Sequence, residues 1–155
     1  MENKKSELKY DYFDVTADIG FYAYGKSLEE AYENAGLAMF NVITDIEKVK
    51  KVESREFEIV SEDLVSLLYD YLEELLFLQD TEFLFFSDFR ISIEKIDSDE
   101  SSDLENYKLT CFACGEEIDW DVHDQRSEVK AITFHKMDVI KEDDGSFRLR
   151  AILDL

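Results

Sequence analysis

Hydrophobic and polar residues alternate with period two along residues 13–25, the stretch FDVTADIGFYAYG. One predicted face is apolar, with Phe13, Val15, Ala17, Ile19, Phe21 and Ala23, and the other carries Asp14, Thr16, Asp18, Tyr22 and Tyr24. This period is typical of a β-strand with one buried face. The pattern predicts one first strand over 13–25, with aspartates on its solvent-facing side.

Two later stretches have the period of a helix. Ser27-Leu28-Glu29-Glu30 fits a capping box, and the helix that it opens is predicted to run to about Thr44. A second helix is predicted after Ser61, which we expect to cap it. Its apolar stripe is too wide for an exposed helix, so we expect it to pack against a sheet. The stripe consists of Leu64, Leu67, Leu68, Tyr71, Leu72, Leu75, Leu76 and Leu78.

Further strands are predicted over residues 54–60, 83–96, 107–114, 128–140 and 147–153. We expect the acidic segment 97–105 to be a hairpin connection and Asp144-Gly145 to be a hairpin turn. Because both faces of 128–140 are partly apolar, that strand is predicted to be central and covered on both sides. The order of elements predicts a single α+β domain over 1–155, with two helices packed on mostly antiparallel sheet as two layers or a sandwich.

Composition and charge exclude several classes of function. The chain has 38 acidic and 17 basic side chains and a formal net charge of -21. Such a charge repels phosphates and disfavours stable nucleic-acid binding, whereas it favours cations or a basic partner protein. The sequence has no apolar run long enough to span a membrane, and its start, MENKKSELKY, lacks the apolar region of a signal peptide. We therefore expect a cytoplasmic protein.

Few residues offer catalytic chemistry. The sequence contains no phosphate-binding glycine loop, nucleophile elbow or Ser/His constellation, so no catalytic residue is predicted. Cys111 and Cys114 form a lone C-x-x-C, which without a second ligand pair indicates structural thiols rather than zinc. Their odd spacing places them on opposite faces of a strand. His123 and His135 are expected to be structural or surface residues.

Carboxylates are the remaining candidates. Asp14 and Asp18 share the predicted strand face, but in a regular strand they would lie roughly 13 Å apart. A hard cation needs several oxygens at about 2.3–2.6 Å, so other segments would have to supply some of them. Asp154 and the terminal carboxylate of Leu155 are an obvious second source.

Several segments together resemble the archease family: DVTADIG with AYG, SLEEAYENA, AMFNVITD, SEDLVSLLYDYLEELL, EVKAITFH and the ending ILDL. The resemblance covers nearly the whole chain in the same order. It implies a non-catalytic protein that assists RtcB-type RNA ligases in tRNA splicing, by promoting guanylylation of the ligase's histidine and so allowing multiple turnover.

The same resemblance implies roles for particular residues. Asp18, Asp154 and Leu155 would hold the family's metal ion, calcium, and Lys130 would contribute to ligase activation. Asp14 would have a supporting role. Val15 stands where the family often has histidine, so any role of that imidazole is absent here.

Two other classes of function remain open on the residues alone. One is a small stand-alone metal-dependent hydrolase that uses Asp18 and Asp154, although no general base is evident. The other is a chaperone-like module that binds exposed segments of several proteins. Ligase stimulation, hydrolysis by the protein alone and suppression of aggregation would distinguish the three.

Overall fold

The computed structural model describes residues 8–97 and 105–155. Its elements are β1 (Tyr10–Val15), β2 (Asp18–Gly25), α1 (Leu28–Ile43), a 3-10 turn (Ile46–Lys48), β3 (Glu53–Ser61), α2 (Leu64–Glu82), β4 (Leu84–Asp97), β5 (Glu105–Glu117), β6 (Ala131–Lys141) and β7 (Phe147–Asp154). No helix in the described ranges is long and apolar enough to cross a membrane.

The strands form two antiparallel sheets, one in the order β1-β2-β7-β6 and the other in the order β3-β5-β4. Each helix contacts strands of both sheets, so the helices form a layer between them. The predicted leucine stripe of α2 is largely buried in this core. The predicted α+β class, with two helices on mostly antiparallel sheet, is therefore confirmed.

The prediction of one strand over 13–25 is wrong, because the chain turns back at Thr16 and Ala17. β1 and β2 pair as a hairpin in which Val15 is opposite Asp18. Ala17 has φ 64°, a left-handed conformation that glycine or asparagine usually supplies. Since the turn lacks those residues, the alternating pattern hid it.

The first helix has the predicted cap and the second does not. Ser27 Oγ accepts a hydrogen bond from the Glu30 amide at 3.1 Å. At α2 the cap is Asp63, whose Oδ1 accepts from the Ser66 amide at 2.7 Å, and not Ser61. Strand β3 continues through Ser61, whose hydroxyl instead donates to Asp70 Oδ2 at 2.6 Å. An N-cap side chain bonds the amide three residues later, and Asp63 has this spacing from the Ser66 amide of the first turn, whereas Ser61 does not.

Strand β6 lies at the edge of its sheet, so the prediction of a central strand over 128–140 is wrong. Its pairing with β7 shifts between Thr133 and Asp138, and Lys136 in that bulge has φ 57°. Phe134 is 55% exposed, and its ring stacks on Tyr69 of α2 with centroids 3.9 Å apart. The bulge and this stack explain why apolar residues occur at positions of both parities in an edge strand.

The remaining strand predictions are confirmed within a few residues. β4 and β5 pair antiparallel as far as Asp97 and Glu105, as expected for the two arms of a hairpin, although 98–104 lie outside the described residues. The strand predicted over 107–114 is longer in the structure, where β5 continues past Gly115 to Glu117. The turn before β7 contains Gly145 with φ 89°, as the Asp-Gly pair predicted.

Candidate functional site

Asp18 and Asp154 meet at one end of the four-stranded sheet. Asp18 is the first residue of β2 and Asp154 the last of β7, and the two are directly opposed in the antiparallel ladder. Directly opposed residues point to the same face, with Cβ atoms about 4.5–5.5 Å apart. Both residues are half-buried. The structure therefore brings together two carboxylates that are far apart in the sequence.

A third strand adds Lys130 to this end of the sheet. Ala131 of β6 pairs with Asp154 on the other side of β7, and the Lys130 amide donates to the Asp154 carbonyl at 2.8 Å. Lys130 is exposed, and it forms no ion pair within the described ranges. Leu155 follows Asp154 and is half-buried. Asp18, Asp154, Leu155 and Lys130 thus share one place in the fold.

Asp14 has a different position. It is opposite Ile19 in the hairpin, one residue out of step with the pair of Val15 and Asp18. Because neighbouring positions of a ladder point to opposite faces, Asp14 faces away from Asp18, and it is exposed. The hairpin brings the two backbones together but separates the side chains.

The two opposed carboxylates have no basic partner among the residues that the structure describes. Neither Asp18 nor Asp154 forms an ion pair or a side-chain hydrogen bond with any residue that the structure describes. Like charges directly opposite on a sheet repel each other. This arrangement favours a cation from outside the chain.

The side chains of Asp18 and Asp154 would supply only part of the coordination shell of a metal ion. Within 8–97 and 105–155, no group of three or more His, Cys, Asp or Glu side chains could hold a metal ion. Asp18 and Asp154 provide two carboxylates, and a carboxylate on Leu155 would be a third that is not a side chain. All are hard oxygen donors, which fit calcium rather than zinc.

The segment between β5 and β6 is held against the end of α1. Thr44 Oγ1 donates to the Asp124 carbonyl at 2.7 Å, and the amides of Arg126 and Ser127 donate to the carbonyls of Ile43 and Val42 at 3.0 and 3.2 Å. The two amide bonds satisfy carbonyls at the C-terminus of α1. They also fix the chain only a few residues before Lys130, which limits where Lys130 can lie.

A second carboxylate arrangement was not found by sequence reasoning. His123 is buried, its Nε2 lies 2.7 Å from Glu116 Oε1, and its Nδ1 accepts from the Asp119 amide at 2.9 Å. Glu116 also accepts from the Lys50 amide at 3.1 Å. Burial works to raise the pKa of Glu116, but the bonds from Lys50 and His123 outweigh it and hold the pKa below its usual value. His123 is thus buried and bonded through both ring nitrogens, which agrees with the expectation of a structural histidine.

The two cysteines are free thiols on opposite faces of β5, as their spacing predicted. Cys111 is fully buried and pairs with Phe57 and Ile91, whereas Cys114 is half-buried. Burial raises the pKa of the Cys111 thiol to about 12. A thiol that stays protonated is a poor nucleophile and metal ligand, so Cys111 is a core residue.

A surface cavity of about 590 Å³ lies at the other end of β2. Its lining includes Tyr24, Gly25, Glu142 and Arg148, and the Arg148 Nε lies 3.0 Å from Glu142 Oε1. Asp18 and Gly25 are the opposite ends of β2. The cavity is therefore separate from the carboxylate pair, and Arg148 in its lining is already paired with Glu142.

Comparison with known proteins identifies the relatives of this chain. Residues 10–155 match the model of the Archease protein family (MTH1598/TM1083). The chain belongs to the archease family. The archease of Methanothermobacter thermautotrophicus is 53% identical over 146 residues, which cover 94% of this chain and 98% of that protein. The archease of Pyrococcus abyssi is 44% identical over 147 residues, covering 95% and 99% of the two chains.

The fold is also that of a solved relative. The solution structure of Methanobacterium thermoautotrophicum protein 1598 matches with a TM-score of 0.76 and 50% sequence identity, over 95% of this chain and 99% of that chain. The family membership expected from the sequence segments is therefore confirmed. The pair of Asp18 and Asp154 lies within the range that matches the archease model.

Proposed function

We propose that this archease activates an RtcB-type tRNA-splicing RNA ligase in the cytoplasm, as a protein cofactor rather than an enzyme. It promotes guanylylation of the ligase's histidine and thereby multiple turnover, and it acts through a calcium site formed by Asp18, Asp154 and Leu155. The observation that carries the proposal is the direct pairing of Asp18 with Asp154, two carboxylates with no cation from the described part of the chain.

The incomplete coordination shell is consistent with a site shared between two molecules. Calcium takes six to eight oxygen ligands, whereas this end of the sheet offers three carboxylates. The remaining positions would be filled by water or by oxygens of the partner, such as the nucleotide phosphates. When bound, the ion neutralises the opposed carboxylates and supplies a positive charge for those phosphates.

Lys130 would add a second positive charge at this end of the sheet. Its backbone is tied to Asp154, while its side chain is exposed and unpaired among the described residues. A free ammonium group at this position can meet a phosphate of the nucleotide on the ligase. We assign it to ligase activation rather than to the stability of the fold.

The charge of the whole chain supports a protein partner rather than RNA itself. A net charge of -21 repels RNA phosphates, whereas a ligase that holds RNA presents a basic cleft. The archease would contact that protein surface and form no stable complex with nucleic acid.

The decisive experiment is a guanylylation time course with the host's RtcB-type ligase, GTP and calcium. The wild-type protein is expected to accelerate guanylylation, and Asp18→Asn, Asp154→Asn and Lys130→Met to remove most of that acceleration. Melting curves on the same preparations should show folded variants. Asp14→Asn is the matched control, because Asp14 faces the other side of the sheet, and it should keep the acceleration.

The outcomes separate the proposal from its alternatives. A ligase that is no faster with the wild-type protein would overturn it. Hydrolysis of a model substrate by the protein alone would indicate an enzyme, and suppressed aggregation of unrelated proteins would indicate a general chaperone. Full activation by Lys130→Met would make that lysine structural only. A loss in Asp14→Asn equal to that in Asp18→Asn would restore a supporting role for Asp14.

A further inference from the structure

Several exposed apolar side chains lie at the end of the molecule where β4 begins and β5 ends. We call them the end patch: Val52, Phe83, Trp120 and Val122, with exposed fractions of 69%, 66%, 57% and 49%. Single exposed apolar residues are common on proteins, whereas a group of them marks a contact surface.

Backbone bonds and ring contacts place the segments that carry these residues at the same end of the molecule. The Val52 amide donates to the Gly115 carbonyl at 2.9 Å, and the Ile118 amide donates to the Phe83 carbonyl at 2.8 Å. Trp120 packs edge-on against the buried ring of Phe85, with centroids 5.8 Å apart. Val122 closes the turn after Asp119 through a 3.0 Å bond. The patch is therefore anchored to the ends of β4 and β5.

Phe83 is a poor choice for the fold alone. It caps the C-terminus of α2 with φ 57° and ψ 48°, and its amide donates to the Gln79 carbonyl at 3.0 Å. Glycine is usual at this left-handed position, because a side chain there is strained. A phenylalanine accepts this strain and also leaves most of its ring in water. Neither feature stabilises the monomer, so the exposed ring indicates a contact with another molecule.

The charged residues around the end patch indicate the charge of the molecule that would bind there. Glu117, Asp119 and Asp121 are exposed, and none of them forms an ion pair with a residue in the described ranges. Three lysines stand just before Val52: Lys48 and Lys51 are paired with Asp124 and Asp88, and Lys50 forms no ion pair in the described ranges. The three acids therefore outnumber the one lysine of this segment that is left without an ion pair. The patch therefore fits a basic protein surface that offers a pocket for an aromatic side chain.

The segment between β5 and β6 connects the end patch with the carboxylate site. From Trp120 the chain passes through His123, which is bonded to Glu116, and then along the end of α1, where Arg126 bonds Ile43. A few residues later it reaches Lys130 beside Asp154. The segment between β5 and β6 therefore carries two residues of the end patch, Trp120 and Val122, near its start and Lys130 at its end.

We propose that the end patch is a second docking surface for the same basic partner, with Phe83 as its anchor. The inference rests on the proposed function, since it names the ligase as occupant. The carboxylate site would act on the ligase's nucleotide centre, whereas the end patch would supply affinity. Loss of the patch should therefore weaken binding and leave the response to calcium intact.

The test measures the dissociation constant of the complex with the host's RtcB-type ligase by calorimetry. Phe83→Asn keeps a residue that tolerates the left-handed conformation and removes the ring, and Val122→Ser provides a second, unstrained change. Each should raise Kd, the former by about tenfold or more, which is typical for a central aromatic anchor. Val122→Ser should keep the wild-type melting temperature, Phe83→Asn should melt at the same or a higher temperature because Asn tolerates the left-handed conformation, and both should keep the increase with calcium. Phe112→Thr is the control, a 38% exposed aromatic on β5, and should bind like the wild type.

Each result decides between the two proposals. A wild-type protein that neither binds nor stimulates the ligase would overturn both. Normal wild-type binding with unchanged Kd in both patch variants would overturn the docking surface and leave the carboxylate site in place. Equal weakening by Phe112→Thr would also overturn it, because the effect would not be specific to this surface. Val122→Ser decides the matter if Phe83→Asn does not fold.

Discussion

The protein contains two carboxylate arrangements that differ in how their charges are met. Glu116 accepts hydrogen bonds from the Lys50 amide and pairs with the buried His123, so the chain itself provides its partners. Asp18 and Asp154 oppose each other, and the described residues provide neither with an ion pair or a side-chain hydrogen bond. Both arrangements lie at the ends of strands, yet only one is internally complete.

This difference distinguishes a structural role from a binding role. A carboxylate whose partners are built into the fold gains stability from them, so removal of a partner is costly. Opposed carboxylates without partners destabilise the isolated chain, so removal of one charge is favourable. The same kind of substitution should therefore change stability in opposite directions at the two places.

The largest change in stability is expected at the pair of Glu116 and His123. His123→Ala leaves Glu116 and the Asp119 amide without their partner, which should lower the free energy of unfolding by about 2–3 kcal/mol. Chemical denaturation measures this directly. The exposed His135→Ala is the matched control and should change stability by no more than about 0.5 kcal/mol. Equal effects of the two substitutions would refute the structural role of His123.

At the pair of Asp18 and Asp154, a smaller change in the free energy of unfolding, of opposite sign, is expected. Asp18→Asn removes one of two opposed charges, so without metal it should raise the free energy of unfolding by roughly 0.2–1 kcal/mol. The wild-type melting temperature should rise with calcium, since the ion binds the folded state, and the variant should lose this rise. Melting curves with and without calcium measure both. A variant that is less stable than the wild type without calcium would contradict the comparison.

The smallest effect is a change in acid sensitivity. The hydrogen bonds from Lys50 and His123 hold the pKa of folded Glu116 below the ordinary glutamate value of 4.5. They therefore contribute stability above that pH, and this contribution is lost as pH falls through the folded pKa. Glu116→Gln should be less stable than the wild type at neutral pH, and the gap should narrow below pH 4.5. Denaturation midpoints between neutral and acid pH measure this. The exposed Glu117→Gln is the control and should be as stable as the wild type at neutral pH, and a constant gap for Glu116→Gln would refute the linkage.

Local patterns predicted most of the fold. The capping box at Ser27, the leucine stripe of α2 and the glycine turn before β7 each depend on residues a few positions apart, so they are visible in one dimension. The same patterns failed at the turn of Thr16 and Ala17 and at the cap of α2. At the first place the sequence was compatible with a continuous strand or a hairpin, and at the second with Ser61 or Asp63 as the cap. Strand pairing decided between the two in each case.

The candidate site was predictable only in part. The resemblance to the archease family named Asp18, Asp154, Leu155 and Lys130, and the structure places all four at one end of a sheet. Periodicity alone placed Asp14 and Asp18 on one face of a long strand, whereas the hairpin turns Asp14 to the other face. The pair of Glu116 and His123 had no sequence signal that separated it from surface residues.

By itself, the sequence determined the helices, most strands, the α+β class, the acidic charge and membership of the family. Only the tertiary structure decided that β6 is an edge strand, that Asp14 faces away from Asp18, and that Asp18 is opposite Asp154. Helix and strand patterns arise from contacts between residues close in the chain, which composition and spacing record. The register between β2 and β7 depends on how distant segments share one core, and no local pattern encodes that.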